Sequence, residues 1–278
     1  MDGPMGTELK HMSTIEFNYC DELTFLDPKL VFNLHCSYLK AGAQLLRTNT
    51  FNCNSSFGTG KGSDYIFQLN KQAALLANDA KKAQGTLSYN TSVFGVLGPV
   101  SAQGEKSQLA LINDYSTSVE GLLSGGVDGF IIETVLDSLE LKAAIDAVRL
   151  VSDKPIMVSL YIQANGCLLS GETLTDLLLA LKARGAIQGF GFNCIPFVDN
   201  ELLAAFYSQA KAVLGANIVF SLHPNVSYGV ELTESDFSVL AVDLARFSKN
   251  NKLSLVGGCC GTNPFFITEL SKALTNSY

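Results

Sequence analysis

From residue 28 onward the chain alternates between two kinds of segment. Short apolar runs rich in β-branched and aromatic residues predict strands at 43–50, 93–97, 127–135, 156–162, 187–193, 217–222 and 253–257. Longer stretches between them carry apolar residues at helical spacing, as at Ile66, Leu69, Ala73, Leu76 and Ala80. They predict helices at 28–39, 63–80, 107–123, 137–151, 173–183, 200–213, 235–249 and 264–274. Asp27-Pro28 supplies an N-cap followed by proline at the first helical position. Polar loops are expected at Asn52 to Lys61 and Asn165 to Glu172. At the start of the chain, Asp2-Gly3-Pro4-Met5-Gly6-Thr7 is too glycine-rich for a strand or a helix interior. The segment 1–9 is therefore expected to begin with a loop over residues 2–7, and 10–27 to be irregular chain.

Strands that alternate with helices of this length form βα units and a parallel sheet. The pattern alone fits an open doubly wound sheet as well as a closed barrel. The polar residues separate the two: Asn49, Glu133, Cys194, His223, Cys259 and Cys260 all fall at C-terminal strand ends. Those ends converge on one face of a barrel, whereas strands so far apart in an open sheet do not meet. An eighth strand should precede Asp2, where only Met1 stands. The expected fold is thus a (β/α)8 TIM barrel over residues 1–278, one domain, with its first strand truncated. Asp2 is then expected on an untethered terminus, less well ordered than the strand ends around it.

Composition narrows the function classes. Apolar residues make up 47% of the chain and charged ones 16%, as befits a sheet covered on both faces. Net charge is −7 without a basic cluster, which argues against nucleic acid or an anionic membrane as partner. No apolar run approaches the length of about 18 residues that spans a bilayer, and no basic-then-apolar leader opens the chain, so a cytoplasmic location is expected. The cysteines number seven, an odd count suited to reduced thiols. Cys36, Cys53 and Cys167 read as buried and inert, and Cys20 as uninformative.

The chemistry concentrates at Gly257-Gly258-Cys259-Cys260-Gly261-Thr262. Adjacent cysteines bridge each other poorly, because a disulfide wants Cα atoms about 5.5 Å apart rather than about 3.8 Å. A tight-turn packing role leaves the flanking glycines unexplained. Two soft ligands offered to a metal, with Cys194 as a third, suit zinc with one position open. A thiol entering that position would become a thiolate at neutral pH, ready for S-alkylation, with an electrophilic methyl group as the obvious partner. Asp2 and Glu133, paired, would bind an α-ammonium through charge-assisted hydrogen bonds, although each alone also suits a cap or solvated turn. Asn49, Thr50 and Ser170 are candidate donors to a substrate carboxylate. His223 is either a fourth ligand or, preferably, a hydrogen-bonded structural histidine before Pro224.

Asp2 to Thr7, Asn49-Thr50-Phe51, Gly98-Pro99, Glu133-Thr134, Gly191-Phe192-Asn193-Cys194 and Gly257 to Thr262 together resemble the homocysteine S-methyltransferase family, in order and spacing, over essentially the whole chain. Leu169 to Thr173 and His223-Pro224-Asn225 look most like the homocysteine-binding module of cobalamin-dependent methionine synthase. The resemblance implies a (β/α)8 barrel with zinc on Cys194, Cys259 and Cys260. It also implies homocysteine sulfur as fourth ligand, Asp2 and Glu133 at the amino group, and methionine as product. It implies as donor methylcobalamin carried by a partner protein or module, with S-methylmethionine or S-adenosylmethionine next. Two departures stand out: the short strand before Asp2 is absent, and the chain stops at the barrel. The competing expectation is a zinc-binding, catalytically impaired accessory barrel.

Overall fold

The computed structural model describes residues 1–55, 61–88, 90–100, 107–135, 137–197, 200–226 and 232–275. Half of the expected loop 52–61, residues 56–60, is therefore outside the described residues. The strands are β1 (Leu45–Arg47), β2 (Ser92–Leu97), β3 (Gly129–Glu133), β4 (Ile156–Leu160), β5 (Gly189–Pro196), β6 (Val219–Asn225) and β7 (Leu255–Val256). They pair in sequence order, and every pairing is parallel. The connecting helices are α3 (Pro28–Lys40), α4 (Ser63–Ala83), α5 (Gln108–Ser124), α6 (Ser138–Arg149), α7 (Leu174–Arg184), α8 (Asn200–Leu214), α9 (Glu234–Asn250) and α10 (Pro264–Thr275). The result is a TIM-barrel-like sheet wrapped in helices, as the alternation predicts.

The glycine-rich start departs from expectation. Helix α1 (Gly6–Met12) forms there because Met5 and Leu9 are buried against the core, and that burial outweighs the glycine. Within 10–27, a 3₁₀ turn at Cys20–Glu22 runs into α2 (Leu23–Leu26). Here the Glu22 carboxylate accepts from the Asn18 and Tyr19 amides, and Leu23 is fully buried.

Residues 1 and 2 complete the ring. The Asp2 amide donates to the Leu45 carbonyl of β1 at 3.0 Å, and the Asp2 carbonyl accepts from Gly258 N–H just after β7 at 3.1 Å. The Met1 nitrogen bonds the Val256 carbonyl at 2.6 Å. Two residues thus stand between β1 and β7, hydrogen-bonded to both edges. The expectation of an untethered Asp2 is overturned: it is bonded to both edges and wholly buried, because sheet edges left unpaired in an interior are costly.

Strand alternation sorts the side chains. Leu46, Val93, Phe130, Ile132, Val158 and Phe192 face the helices and join the main core. Leu45, Phe94, Val96, Ile131, Met157 and Met1 fill the barrel interior. One step further along the inward row the chemistry changes: Arg47 follows Leu45, Glu133 follows Ile131 and Ser159 follows Met157. The interior therefore has an apolar floor beneath a polar layer at its C-terminal end. Gly191 on β5 is forced by this crowding. A β-carbon there would lie 2.1 Å from the Ser221 carbonyl oxygen of β6.

Replacing Gly191 with alanine should therefore cost about 1–3 kcal/mol, the range for an overpacked interior, since a ladder carbonyl cannot swing aside. Urea unfolding of Gly191→Ala checks this, and an unchanged midpoint would contradict the packing described for β5.

Candidate active site

Three cysteines meet at the C-terminal end of the barrel. Cys194 sits where β5 leaves its regular register with β6, between Asn193 and Pro196, and has φ +56°. A non-glycine residue in that left-handed region is strained and needs local support. The support is visible: Asn225 Nδ2 donates to the Cys194 carbonyl at 3.2 Å. Asn193 Nδ2 donates to Thr134 Oγ1 at 2.8 Å and lies 3.4 Å from Cys194 Sγ. The bulge turns the thiol off the ladder and toward the site.

Cys259 and Cys260 arrive on the turn after β7. Gly257 is needed there because a β-carbon would fall 2.6 Å from the Asp2 carbonyl oxygen, on the residue that closes the ring. Thr262 holds the turn shut, with its amide and its hydroxyl both donating to the Cys259 carbonyl, at 3.0 and 2.9 Å. The Cys194 and Cys259 sulfurs are 2.8 Å apart, and the three sulfurs all lie within 4.8 Å of one another. Among the described residues this is the one group of three or more side chains arranged to hold a metal ion.

The thiols share charge unequally. Contacts from Cys194 and Cys259 lower Cys260 to about 3, aided by Arg47. For Cys194 the Cys259 contact works downward, but Cys260 and burial prevail and push it up to about 12. Cys259 is raised well above its ordinary value by its two thiol neighbours and then by burial. Thiolate character is therefore greatest at Cys260, the exposed member.

Beneath the thiols lies a buried charge network that the sequence reading missed. Arg47 Nε donates to Asp2 Oδ1 at 2.7 Å, Nη1 to Glu133 Oε1 at 3.0 Å, and Nη2 to the carbonyls of Gly3 and Gly258 at 3.0 and 2.9 Å. Its backbone amide also donates to Asp2 Oδ2, at 2.7 Å. Burial opposes the charge on Arg47, yet Asp2 and Glu133 outweigh it and hold the guanidinium protonated. Burial pushes both carboxyls upward while Arg47 pulls them down. Arg47 Nη1 also lies 3.4 Å from His223 Nδ1, and Ser159 Oγ lies 3.2 Å from Nε2. A guanidinium only donates, so Nδ1 accepts and Nε2–H donates to Ser159. Burial, Arg47 and the N-terminal amine lower His223 well below its ordinary value, keeping it neutral. It belongs to this network and not to the thiol cluster. The sequence did carry a signal: a lone arginine inside an apolar strand demands buried anions.

A cavity of about 350 Å³ opens above, with Arg47, Glu133, Cys194, Cys259 and Cys260 in its wall. Asp2 is covered and does not line it. Asn49 and Thr50 do, but their donors are already engaged. Asn49 Nδ2 bonds the Cys20 carbonyl at 2.8 Å, and Thr50 Oγ1 the Val96 carbonyl at 2.8 Å. Ser170 lies outside, exposed on the loop after β4, where its hydroxyl accepts from Glu172 N–H. Of the other cysteines, Cys36 and Cys53 are buried as expected, whereas Cys167 is half-buried. Asp21 was also missed. It lines the cavity, accepts from the Asn52 amide and side chain at 2.9 and 3.1 Å, and is raised by burial to about 6.

Residues 1–274 match the family model for homocysteine S-methyltransferase. The methionine synthase of Mycobacterium leprae is 30% identical over 295 residues, which cover 98% of this chain and 24% of that protein. The methionine synthase of Mycobacterium tuberculosis is 30% identical over 297 residues, covering 99% of this chain and again 24% of the relative. The chain thus spans about a quarter of the length of these curated relatives. The metallated form of the homocysteine methyltransferase MmuM from Escherichia coli superposes with a TM-score of 0.83 at 22% identity, over 98% of this chain and 94% of that one. At that identity the likeness is one of fold.

Two outcomes follow from the geometry. Metal-free protein left in air should form a disulfide between Cys194 and a cysteine of the turn, since the three sulfurs lie within 4.8 Å and Cys260, the exposed one with the most thiolate character, oxidises first, and reductant should reverse it. Peptide mapping by mass spectrometry should find Cys194 linked in the unaltered protein and no link within the turn in Cys194→Ser, because adjacent cysteines bridge poorly. Cys194 left free after exhaustive oxidation would contradict the arrangement. The second concerns Asp21, whose folded pKa of about 6 lies above its ordinary 3.8. The folded state binds that proton more tightly, so its stabilisation is complete below about pH 4 and lost as pH rises through 6. Urea midpoints of Asp21→Asn should fall less between pH 4.5 and 7 than those of the unaltered protein, and parallel falls would refute the assignment.

Proposed function

The chain belongs to the homocysteine S-methyltransferase family, and from that premise we propose that it transfers a methyl group to the thiol of homocysteine, giving methionine, with zinc held by Cys194, Cys259 and Cys260. The observation that carries this reading is the convergence of three sulfurs within 4.8 Å at the wall of a 350 Å³ cavity. The donor set fits the metal. Tetrahedral coordination at about 2.3 Å places sulfurs roughly 3.8 Å apart, within reach of this cluster after a small separation of Cys194 and Cys259. When bound, zinc supplies a Lewis acid that makes an entering thiol a thiolate at neutral pH without oxidising it.

The chain's own residues do the rest. The Cys194 bulge and the Thr262-locked turn orient the three sulfurs. Asn193 Nδ2 points a donor at Cys194 sulfur and so favours its thiolate. The buried Arg47 places a positive charge near Cys260, again favouring thiolate over thiol. Cys194 and Cys259 are both held as thiols in the absence of a metal, so loading should release protons. Acidification should accordingly weaken binding.

For the donor, methylcobalamin presented by a separate protein or module is favoured, with S-methylmethionine or S-adenosylmethionine next. The support is the likeness to methionine synthases of which this chain spans a quarter. Exposed apolar side chains on segments bordering the cavity face, among them Met12, Phe25, Leu26 and Leu169, also suit a docking protein. The chain acts in this reading as one barrel module.

Purified protein should bind about one zinc per chain, and Cys259→Ala should lose it. Methionine formation from homocysteine and methylcobalamin should stop on thorough chelation and return with zinc plus reductant. Activity that survives chelation would refute the zinc site. Turnover with S-methylmethionine alone, indifferent to any corrinoid, would overturn the donor preference. Zinc binding without turnover on any donor would favour the accessory barrel.

A further inference from the structure

The two carboxylates suited to an α-ammonium are not open. An amino acid's ammonium would sit between Asp2 and Glu133, drawn by two negative charges. Arg47 already occupies that position, with Nε on Asp2 Oδ1 at 2.7 Å and Nη1 on Glu133 Oε1 at 3.0 Å. Asp2 makes a second bond to the Arg47 amide and is wholly buried, so no ligand reaches it. Glu133 still borders the cavity, but Arg47 borders it beside Glu133. A cation approaching the free side of Glu133 therefore meets a guanidinium at the same wall. Two carboxylates and one guanidinium leave a single net negative charge where two would otherwise act, and that charge is partly beneath the surface. Lys10 lines the cavity as well, so with Arg47 it presents cations suited to the acid end of a ligand, while the Asp21 carboxyl in the same wall has both oxygens engaged by Asn52.

We propose that Arg47 takes the cation position an α-ammonium would fill between Asp2 and Glu133, so that the site accepts thiol acids with and without an α-amino group. The inference rests on the thiol-methylating reading above and deepens it. Homocysteine remains an acceptor, recognised by its sulfur and its carboxylate. Its amino group contributes little, because the charge pair that would read it is satisfied internally. Arg47 is thus a specificity-determining residue: it sets which thiols enter without touching the sulfur.

The test compares homocysteine with 4-mercaptobutanoate, the same molecule lacking the amino group, by calorimetric titration into zinc-loaded protein. A hydrogen bond between charged groups in a buried site is worth about tenfold or more in affinity. Dissociation constants within about fivefold of each other support the proposal, and the same ratio should appear in kcat/KM with a methyl donor. Homocysteine tighter by more than that overturns the proposal while leaving the methyltransferase reading intact. Failure of both thiols to bind zinc-loaded protein overturns both. As a second arm, Arg47→Met exposes the carboxylate pair and should shift preference toward homocysteine by about tenfold. A folded Arg47→Met protein with an unshifted ratio also counts against the proposal. This variant removes the partner of two buried carboxylates, and where it fails to fold the comparison in the unaltered protein decides the matter.

Discussion

A single buried cation organises this molecule. Arg47 lies at the centre of the barrel's polar layer, where an unpaired guanidinium is untenable: breaking a buried ion pair on one side costs about 3–5 kcal/mol. Its partners come from every direction. Asp2 lies in the two-residue segment that closes the ring, Glu133 at the end of β3, His223 on β6, and the Gly258 carbonyl in the cysteine turn. Satisfying one charge therefore brings together four separate regions of chain. The terminal residues gain their place by the same means, since Asp2 is bonded at its amide, its carbonyl and its carboxylate. The two edges of the seven-stranded sheet are thereby bridged by Met1 and Asp2.

The thiol cluster is built directly on that network. Gly258 offers its carbonyl to Arg47, and Cys259 and Cys260 follow at once in the chain. Cys194 is delivered from β5 by a bulge that breaks the ladder at the one residue whose side chain must leave it. Neighbouring Thr134, also in the left-handed region at φ +59°, accepts from Asn193 beside that bulge. Two strained residues, both within reach of the Asn193 amide, are backbone cost concentrated beside the cavity where chemistry is placed. The electrostatics agree with the geometry: the Arg47 guanidinium lies near Cys260 and lowers it, while burial helps hold Cys194 and Cys259 as thiols whose protons a bound cation would displace.

Much of this was legible in the linear chain. Helices and strands appeared at the expected places because period 3.6 and short apolar runs reflect which residues must be buried, and that is a local property. The cysteines converged as the barrel argument required, because C-terminal strand ends share one face in that topology. Boundaries were less faithful. The segment 43–50 yields a strand of only Leu45–Arg47, since Thr50 turns back to bond the Thr48 carbonyl. Glycine content misled at Gly6, where burial of Met5 and Leu9 pulls the chain into a helix.

Only the tertiary structure decided the pairing of charges. In the sequence Asp2 and Glu133 are two acids at turns, free to meet a ligand, while Arg47 is one residue inside an apolar strand. Nothing in spacing says that a cation 45 residues from one acid and 86 from the other will sit between them. That outcome depends on the inward face of β1, on the register that carries Glu133 to the same level, and on how the ring closes. Hydrophobic burial is set residue by residue and so can be read along the chain. Partner choice among buried charges is set by three-dimensional distance, which the chain reveals only once it has folded.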